Sequence, residues 1–348
     1  MSKQPTDLKP YIAKVADNRA LSQADSSAAF NIMMSGDATP AQIGAFLMAL
    51  RLRGETVEEI TGAAETMREK MTPVTAPADA IDIVGTGGDA HGTHNISTAT
   101  AFVVAGAGVP VAKHGNRAFS SLSGSADVLS ALGVDLEASL ERVETSIAEA
   151  GIGFLMAPLY HSAMRHVGPS RAEMGIRTVF NILGPMCNPA RVKYLLVGTY
   201  PRHWLEPMAK TLGALGVERA WVVHGSDGMD ELTTTGPSQV AVLENGAVSL
   251  TEISPKDAGL PIVTLDDLKG GTPQDNANAI RRLLYGEQGP LHDIVVYNAA
   301  AALMVAGRAP TLLDGVEMAM EAIRSGCAKS ALESMLGFTG LLTDGNDK

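Results

Sequence analysis

A short apolar segment that runs directly into a glycine-rich loop constrains the fold of this chain more than any other feature. Ile81–Val84 has the length and composition of a buried strand, and Gly85-Thr86-Gly87-Gly88-Asp89 follows it. The small and apolar residues of Ile96–Gly106 predict a helix, and Val109–Ala112 predicts a second strand. A strand, a helix and a strand in this order form a βαβ unit, in which the two strands are parallel. The sequence therefore predicts an α/β fold.

Further segments with the composition of strands follow along the chain. They are Gly153–Met156, Leu195–Thr199, Ala220–Val223 and Ile294–Val296. Glu244-Asn245-Gly246 lies between apolar runs and predicts a hairpin, which joins antiparallel strands. We therefore expect a central sheet that is mixed but mainly parallel.

Helix signals mark the beginning of the chain. Thr39 stands before Pro40, as an N-cap stands before a proline in the first helical turn, and Thr56 is followed three residues later by Glu59 in the pattern of a capping box. We therefore expect a small helical domain beside the larger α/β domain. The predicted ranges are residues 1–72 for the helical domain, completed by helices from about 162–189, and residues 73–161 and 190–348 for the α/β domain.

Charge and cysteine content limit the partners and the compartment. The formal net charge of −11 argues against a nucleic-acid-binding protein, because such proteins gain affinity by neutralising phosphates with lysine and arginine. It does not exclude a small anionic ligand in a locally positive pocket. The two cysteines, Cys187 and Cys327, form no disulfide framework or zinc motif, which favours a cytoplasmic location. The apolar runs are too short to span a bilayer, so we expect no membrane partner.

The glycine-rich loop has the chemistry of an anion site. Glycines let backbone N–H groups approach an anion, and α/β proteins bind ligands at the carboxyl ends of strands. A plain tight turn is the alternative for such a loop taken alone. A dinucleotide-binding motif is opposed by His91–His94, which delay the helix, and by the lack of an acidic residue at the end of the next strand. A P-loop is excluded because no Gly-Lys-Ser/Thr occurs.

Two further polar segments are expected at the same edge of the sheet. Asn95-Ile96-Ser97-Thr98 opens the helix with side chains that are either plain caps or part of a phosphate site. Lys113-His114-Gly115-Asn116-Arg117 follows the second strand and supplies cations, with a solvated charged loop as the alternative. Together with the glycine-rich loop, these segments predict a phosphate-binding site. We assign no proton-transfer role to His114.

Five ordered motifs give the chain a resemblance to a known family. Besides the three segments above, they are Arg171–Asn181, which leads to Leu183-Gly184-Pro185, and His224–Glu231. In this order and spacing the chain resembles the anthranilate phosphoribosyltransferase family over nearly its whole length. The resemblance implies a nucleoside phosphorylase/phosphoribosyltransferase-like fold and a homodimer. It also implies transfer of the 5-phosphoribosyl group from phosphoribosyl diphosphate to the amine of anthranilate, in tryptophan biosynthesis, with Mg2+ as the cofactor.

The resemblance also implies roles for individual residues. It places phosphoribosyl diphosphate on Gly85, Gly88, Asp89, Thr93, Asn95, Ile96, Ser97, Thr98, Lys113, His114, Gly115, Asn116, Arg117, Ala118, Phe119, Ser120, Ser121 and Ser125. It places anthranilate on Gly85, Asn116 and Arg171, and Mg2+ on Ser97, Asp230 and Glu231. Lys113, Asp230 and Glu231 are the expected catalytic residues.

Elementary chemistry supports two of these roles. Mg2+ prefers one or two carboxylates together with phosphate oxygens of a substrate, and the adjacent Asp230 and Glu231 can act together if they lie in a turn. A solvated acidic loop is the alternative for this pair. The planar guanidinium of Arg171 fits a carboxylate through two hydrogen bonds. We leave Arg177 outside the site as a structural residue.

Two other functions compete with the transferase. A pyrimidine-nucleoside phosphorylase shares the fold and a Lys-His loop, but such chains are longer and lack an acidic loop of the Asp230-Glu231 type. A nucleic-acid-binding relative without transferase chemistry should be basic and should lack the intact glycine-rich loop, whereas this chain is acidic and retains it. Asp266-Asp267 loosely resembles the acidic pair of orotate-type phosphoribosyltransferases, and we interpret it as structural because Lys269 interrupts the apolar pattern.

Overall fold

The computed structural model describes residues 6–88, 91–118 and 122–341. The strands are β1 (Ile81–Gly85), β2 (Val111–Gly115), β3 (Ile152–Met156), β4 (Tyr194–Gly198), β5 (Arg219–Gly225), β6 (Ser238–Glu244) and β7 (Ala247–Ile253). The α-helices are α1 (Lys9–Ala16), α2 (Gln23–Ser35), α3 (Pro40–Arg53), α4 (Val57–Lys70), α5 (Ile96–Gly106), α6 (Ser125–Leu132), α7 (Leu140–Glu149), α8 (Ala157–Tyr160), α9 (Gly168–Met174), α10 (Phe180–Met186), α11 (Leu205–Ala214), α12 (Pro273–Leu284), α13 (Pro290–Val305), α14 (Leu312–Arg324) and α15 (Cys327–Thr339).

The central sheet is mainly parallel. Its strand order is β3-β2-β1-β4-β5-β6-β7, with parallel pairing from β3 to β5 and antiparallel pairing of β6 with both its neighbours. The predicted βαβ unit is confirmed as β1, α5 and β2, and the predicted hairpin joins β6 to β7. The prediction of a mixed, mainly parallel sheet is therefore confirmed.

One strand prediction was wrong, and the bounds of another are shifted. Ile294–Val296 is not a strand, because it lies in α13, a 16-residue helix that is buried over most of its length. A helix buried on all sides shows no polar periodicity, so a short apolar run within it cannot be told from a buried strand. β2 spans Val111–Gly115 instead of Val109–Ala112, so Lys113, His114 and Gly115 belong to the strand and not to the loop after it.

The N-terminal helices pack with helices from the middle of the chain. Thr39 and Thr56 cap α3 and α4, each with a complete capping box. The ring of Phe30 in α2 lies 5.9 Å from that of Phe46 in α3 and 5.6 Å from that of Phe180 in α10. These contacts agree with a helical domain completed by later helices, while its predicted limits stay a prediction.

Helices cover both faces of the sheet. One apolar core joins the sheet to α5 and α13–α15 and includes Phe102 and Tyr297. The other joins the sheet to α11 and the N-terminal helices and includes Phe46, Leu195 and Leu212. Among the described helices, none is long and apolar enough to cross a membrane.

The close contact between α2 and α4 is expected to depend on Gly62. A methyl group on Gly62 would lie 2.3 Å from the backbone oxygen of Gln23. Overpacking of this kind costs about 1–3 kcal/mol, so Gly62→Ala should lower the free energy of unfolding measured in urea by that amount. Gly44→Ala is the control, because its methyl group would meet nothing closer than 3.9 Å. Replacing glycine by alanine in a helix interior stabilises the fold by about 0.5–1 kcal/mol, so Gly44→Ala should not lower the free energy of unfolding. Destabilisation of both variants to the same extent would contradict the packing argument.

Candidate active site

The candidate site lies where the chain reverses its direction across the sheet. From β1 the chain continues to β2 and β3 on one side, whereas β4 and β5 lie on the other side of β1. The loops after β1 and β4 therefore lead away from each other and leave a crevice at the carboxyl ends of neighbouring strands. Gly85 and Gly198, the last residues of these two strands, are paired at this edge. The glycine-rich loop thus begins at the position where open α/β sheets bind ligands.

Asp230 rests on the two glycines at these strand ends. A methyl group on Gly85 would lie 2.3 Å from Asp230 Oδ2, and one on Gly198 would lie 1.5 Å from the Asp230 backbone oxygen. The N–H of Gly87 donates a hydrogen bond of 2.7 Å to Asp230 Oδ2. The acidic loop can therefore close over the strand ends because both positions are glycine.

The predicted turn that carries Asp230 and Glu231 is present after β5. Asp227 stabilises it: Oδ2 of Asp227 accepts hydrogen bonds from the hydroxyls of Thr233 and Thr235 at 2.7 and 2.8 Å. Asp230 is only 8% exposed, which argues against a merely solvated acidic loop. Two adjacent carboxylates in this position fit Mg2+, which takes its remaining ligands from phosphate oxygens and water. Among the described residues no cluster of three or more His, Cys, Asp or Glu side chains forms a metal site made of protein ligands alone.

The first turn of α5 carries several of the predicted phosphate-binding residues. Asn95 makes no side-chain cap bond; its Oδ1 instead accepts hydrogen bonds from Ser123 Oγ at 3.0 Å and from Asn276 Nδ2 at 2.9 Å. Ser97 is partly exposed, and the hydroxyl of Thr98 is buried with no hydrogen-bond partner within the described part of the chain. Asn95 therefore does not cap this helix through its side chain, so the N–H groups of Ser97 and Thr98 can be offered to an anion, as the sequence predicts.

Lys113 lies inside the sheet. Its side chain is 2% exposed, and Nζ donates a hydrogen bond of 2.6 Å to the carbonyl of Ile83. Burial lowers the pKa of Lys113, while the carboxylates of Asp82 and Glu231 act against that shift. The alternative of a solvated charged loop is therefore wrong for this lysine.

The loop after β2 is held to the start of α6. The exposed Arg117 pairs with Asp127 at 3.0 Å, and the second carboxylate oxygen of Asp127 accepts the N–H of Ala118 at 2.9 Å. The carbonyl of Asn116 accepts the hydroxyl of Ser125 at 3.2 Å. Arg117 thus has a structural partner within the loop. Four predicted positions, Asp89, Phe119, Ser120 and Ser121, lie outside the described residues.

Three other predicted positions also have structural contacts. Ile96 is 1% exposed and belongs to the core, so it can reach a ligand only through its backbone. Thr93 forms an isolated β-bridge with Lys269. A methyl group on Gly115 would lie 2.3 Å from the hydroxyl oxygen of Ser125.

His114 forms a buried pair with His161, whose ring centroid lies 5.1 Å away. Burial lowers the pKa of His114 to about 3 and that of His161 to about 4. Both rings are therefore neutral near pH 7, which agrees with assigning His114 no proton-transfer role. Nε2 of His114 has no hydrogen-bond partner among the described residues.

Two arginines of the α9–α10 segment differ in what they contact. Arg171 lies over the ring of Phe180, 5.1 Å from its centroid, and burial lowers its pKa. Arg177 donates a hydrogen bond of 3.0 Å to the carbonyl of Thr86, and a methyl group on Gly88 would meet its guanidinium. Arg177 therefore contacts the backbone of the glycine-rich loop directly, as a structural partner of that loop can, and its exclusion from the site stays a prediction.

Other residues at the site were missed in the sequence. Asn276 in α12 holds Asn95, and Asp82 and Asn188 lie beside the strand that carries Lys113. No local signal could have identified them, because each acts through a partner distant in sequence. Asp267, by contrast, caps a short turn through the N–H of Thr264 at 2.9 Å, as a structural residue should.

Comparisons with known proteins agree with this arrangement. Residues 9–71 match the glycosyl transferase family helical bundle domain, and residues 77–329 match the glycosyl transferase family a/b domain. An anthranilate phosphoribosyltransferase from Rhodospirillum rubrum is 60% identical over 343 residues, which cover 98% of this chain and 99% of the relative. The chain belongs to the anthranilate phosphoribosyltransferase family.

Solved structures of the family have the same fold. The anthranilate phosphoribosyltransferase from Thermus thermophilus superposes with a TM-score of 0.90 at 45% identity, covering 94% of this chain and 98% of that one. The enzyme from Saccharomyces cerevisiae, in complex with PRPP (phosphoribosyl diphosphate) and Mg, superposes with a TM-score of 0.86 at 29% identity, covering 95% and 97%. The nucleoside phosphorylase and nucleic-acid-binding alternatives are therefore set aside.

Gly198 is expected to be essential for transferase activity. The methyl group of Gly198→Ala cannot coexist with the Asp230 backbone, so the acidic loop must move. Because a displacement of about 1 Å can cost roughly a hundredfold in rate, kcat/KM should fall by about that factor. Gly337→Ala in α15, whose methyl group would meet nothing within 4 Å, should keep the activity of the unchanged protein. Full activity of Gly198→Ala would mean that the Asp230 loop has no such constraint.

Proposed function

We propose that this protein transfers the 5-phosphoribosyl group from phosphoribosyl diphosphate to the amine of anthranilate, releasing diphosphate, as a step of tryptophan biosynthesis. The observation that carries the proposal is the convergence of the glycine-rich loop, Asp230 and Lys113 at the switch point of the sheet. Membership of the family supplies the identity of the substrates.

The diphosphate and ribose phosphate would lie against the glycine-rich loop and the start of α5. Backbone N–H groups at Gly88 and at Ser97 and Thr98 would favour an anion. The Thr98 hydroxyl, which has no hydrogen-bond partner among the described residues, would offer it a further donor. Lys113 would stabilise the negative charge that develops on the leaving diphosphate. Because this charge is greater in the transition state than in the bound substrate, the lysine contributes to the rate as well as to binding.

Asp230 and Glu231, with Ser97, would hold Mg2+. The yeast relative is in complex with PRPP and Mg, which supports the same cofactor here. When bound, the metal ion neutralises charge on the diphosphate oxygens. The protein's own task is to hold the acidic loop in place. The Gly87 N–H fixes the carboxylate of Asp230, and the hydrogen bonds to Asp227 stabilise the turn before it.

Anthranilate would be bound by Arg171, Asn116 and Gly85. Arg171 can bind the carboxylate of anthranilate through two parallel hydrogen bonds, and among the described residues its guanidinium has no carboxylate partner. The aniline-type amine is already a nucleophile, so the reaction needs positioning and no strong base. The neutral His114 and His161 pair supports this view, because neither ring is poised to titrate near pH 7.

We further propose a homodimer in the cytoplasm. The support is the family resemblance, together with the exposure of Leu52 (76%) and Met48 (38%) on α3 of the helical cluster.

The loss of anthranilate fluorescence on addition of phosphoribosyl diphosphate and Mg2+ tests the reaction. The unchanged protein should consume anthranilate, and chelation of the metal should stop the reaction. Asp230→Asn with Glu231→Gln should lower kcat by about a hundredfold or more and abolish the Mg2+ dependence, since electrostatic stabilisation of this kind is worth about 2.7–4 kcal/mol. The control Asp266→Asn removes an exposed acid that pairs with Lys269 and should leave the kinetics unchanged. Unaltered kinetics in the double variant would remove the metal assignment.

Arg171→Ala should weaken anthranilate selectively. A hydrogen bond to a charged group is worth about 1.5–3 kcal/mol, so the KM for anthranilate should rise about tenfold to a hundredfold while that for phosphoribosyl diphosphate changes little. The matched control is Arg165→Ala, which removes an exposed arginine from the preceding turn. Equal increases of both KM values would contradict the role of Arg171 at the carboxylate.

A further inference from the structure

β1 and β2 separate before their carboxyl ends, although they are neighbours in the sheet. β1 pairs with β4 at five successive residues, but with β2 only at Ile81 and Val111, and both strands are described over their full lengths. Parallel neighbours normally share evenly spaced hydrogen bonds along their length. The buried backbone groups beyond this pair therefore need other partners.

Side chains take the place of the missing ladder bonds. Oδ1 of Asp82 accepts the N–H of His114 at 3.0 Å, and Nζ of Lys113 donates to the carbonyl of Ile83 at 2.6 Å. Asn188, which follows α10, donates to a carbonyl of β2 at 2.8 Å. In a regular ladder the His114 N–H and the Ile83 carbonyl would bond to each other. Here an acidic and a basic side chain stand between them.

Asp82 and Asn188 also bind each other. Nδ2 of Asn188 donates to Oδ2 of Asp82 at 2.7 Å, and Oδ1 of Asn188 accepts the N–H of Ala190 at 2.8 Å. Both side chains are buried. Burial raises the pKa of Asp82 to about 6, against which the charge of Lys113 and the hydrogen bonds from Asn188 and His114 favour the carboxylate. A buried network in which the polar atoms are bonded to each other holds a single geometry.

We propose that Asp82, supported by Asn188, is a positioning residue for the transferase reaction. Asp82 keeps β1 and β2 apart, so that the Lys113 ammonium lies between the two strands at the phosphate site. The inference rests on the proposed function, because it requires Lys113 to bind the diphosphate. Asp82 acts on the substrate only through Lys113. Without Asp82, the His114 N–H loses its acceptor and can donate to the Ile83 carbonyl in place of the Lys113 ammonium.

A double-mutant cycle with Lys113 tests this coupling. Asp82→Asn keeps the size of the side chain but removes its charge. Its new amide N–H2 group also faces an N–H donor, either the Asn188 amide or the His114 backbone, where the carboxylate accepted hydrogen bonds from both. With Lys113 present, kcat/KM for phosphoribosyl diphosphate should fall about tenfold to a hundredfold, the range expected for one charged hydrogen bond. In the Lys113→Met background the same change should have almost no further effect. The value of kcat/KM for phosphoribosyl diphosphate is measured for all four proteins with the fluorescence assay, with enzyme in excess over that substrate.

Several outcomes would overturn the proposal. Equal losses in both backgrounds would assign Asp82 a structural role independent of Lys113. Unchanged or improved use of phosphoribosyl diphosphate would mean that Asp82 acts only as a negative charge near an anion site. If Asp82→Asn does not fold, Asn188→Ala replaces it in the same cycle under the same criteria.

Two controls separate a failure of this coupling from a general loss of activity and from a failure of the proposed function. Ser146→Ala removes a buried hydrogen bond of 2.6 Å to the Ile152 carbonyl, which lies at the amino end of β3, opposite the strand ends that carry the site, and should leave kcat/KM unchanged. The unchanged protein is assayed in the same series. Failure of the proposed function, in which that protein shows no turnover, is therefore distinct from failure of the coupling, in which it is active and the cycle is additive.

Discussion

The lack of side chains at Gly85 and Gly198 is the constraint on which the site depends. The two residues end neighbouring strands on one edge, and Asp230 occupies the space that their Cβ atoms would need. The loop after β5 thereby meets the loop after β1, and Asp230 bonds to Gly87 across 143 residues of sequence. One pair of glycines thus joins the two motifs to which we assign phosphate binding and metal binding.

Local signals predicted the parts of the fold that depend on neighbouring residues. The caps at Thr39 and Thr56 and the turn at Asn245 each act within a few residues, and the structure has all three. Prediction failed where burial removes the pattern. Ile294–Val296 lies in a helix with core around most of its surface, so no polar face distinguishes it from a strand.

The position of the site could be predicted from the sequence, but the contacts that hold its residues in place could not. The order of the motifs placed the glycine-rich loop, Lys113 and Asp230 together, whereas the supporting residues act over long separations. Arg177 reaches Thr86 across 91 residues, and the Asp82–Asn188 and Asn95–Asn276 bonds span 106 and 181. No spacing rule connects such pairs. An aspartate within a strand also gives no sign of burial, since aspartate is almost never fully buried unless it is paired.

An acidic protein can hold a polyanion because its cations act locally. The charge of −11 is distributed over the molecule, and salt largely screens exposed charges beyond about 8–10 Å. Lys113 is 2% exposed, so water weakens its attraction to a nearby phosphate much less. Such a buried ammonium needs counter-charges, which Asp82 and Glu231 supply. Glu231 is also a proposed Mg2+ ligand. If it holds the metal, its charge would be shared with that ion, and more of the positive charge of Lys113 would then be left for the diphosphate.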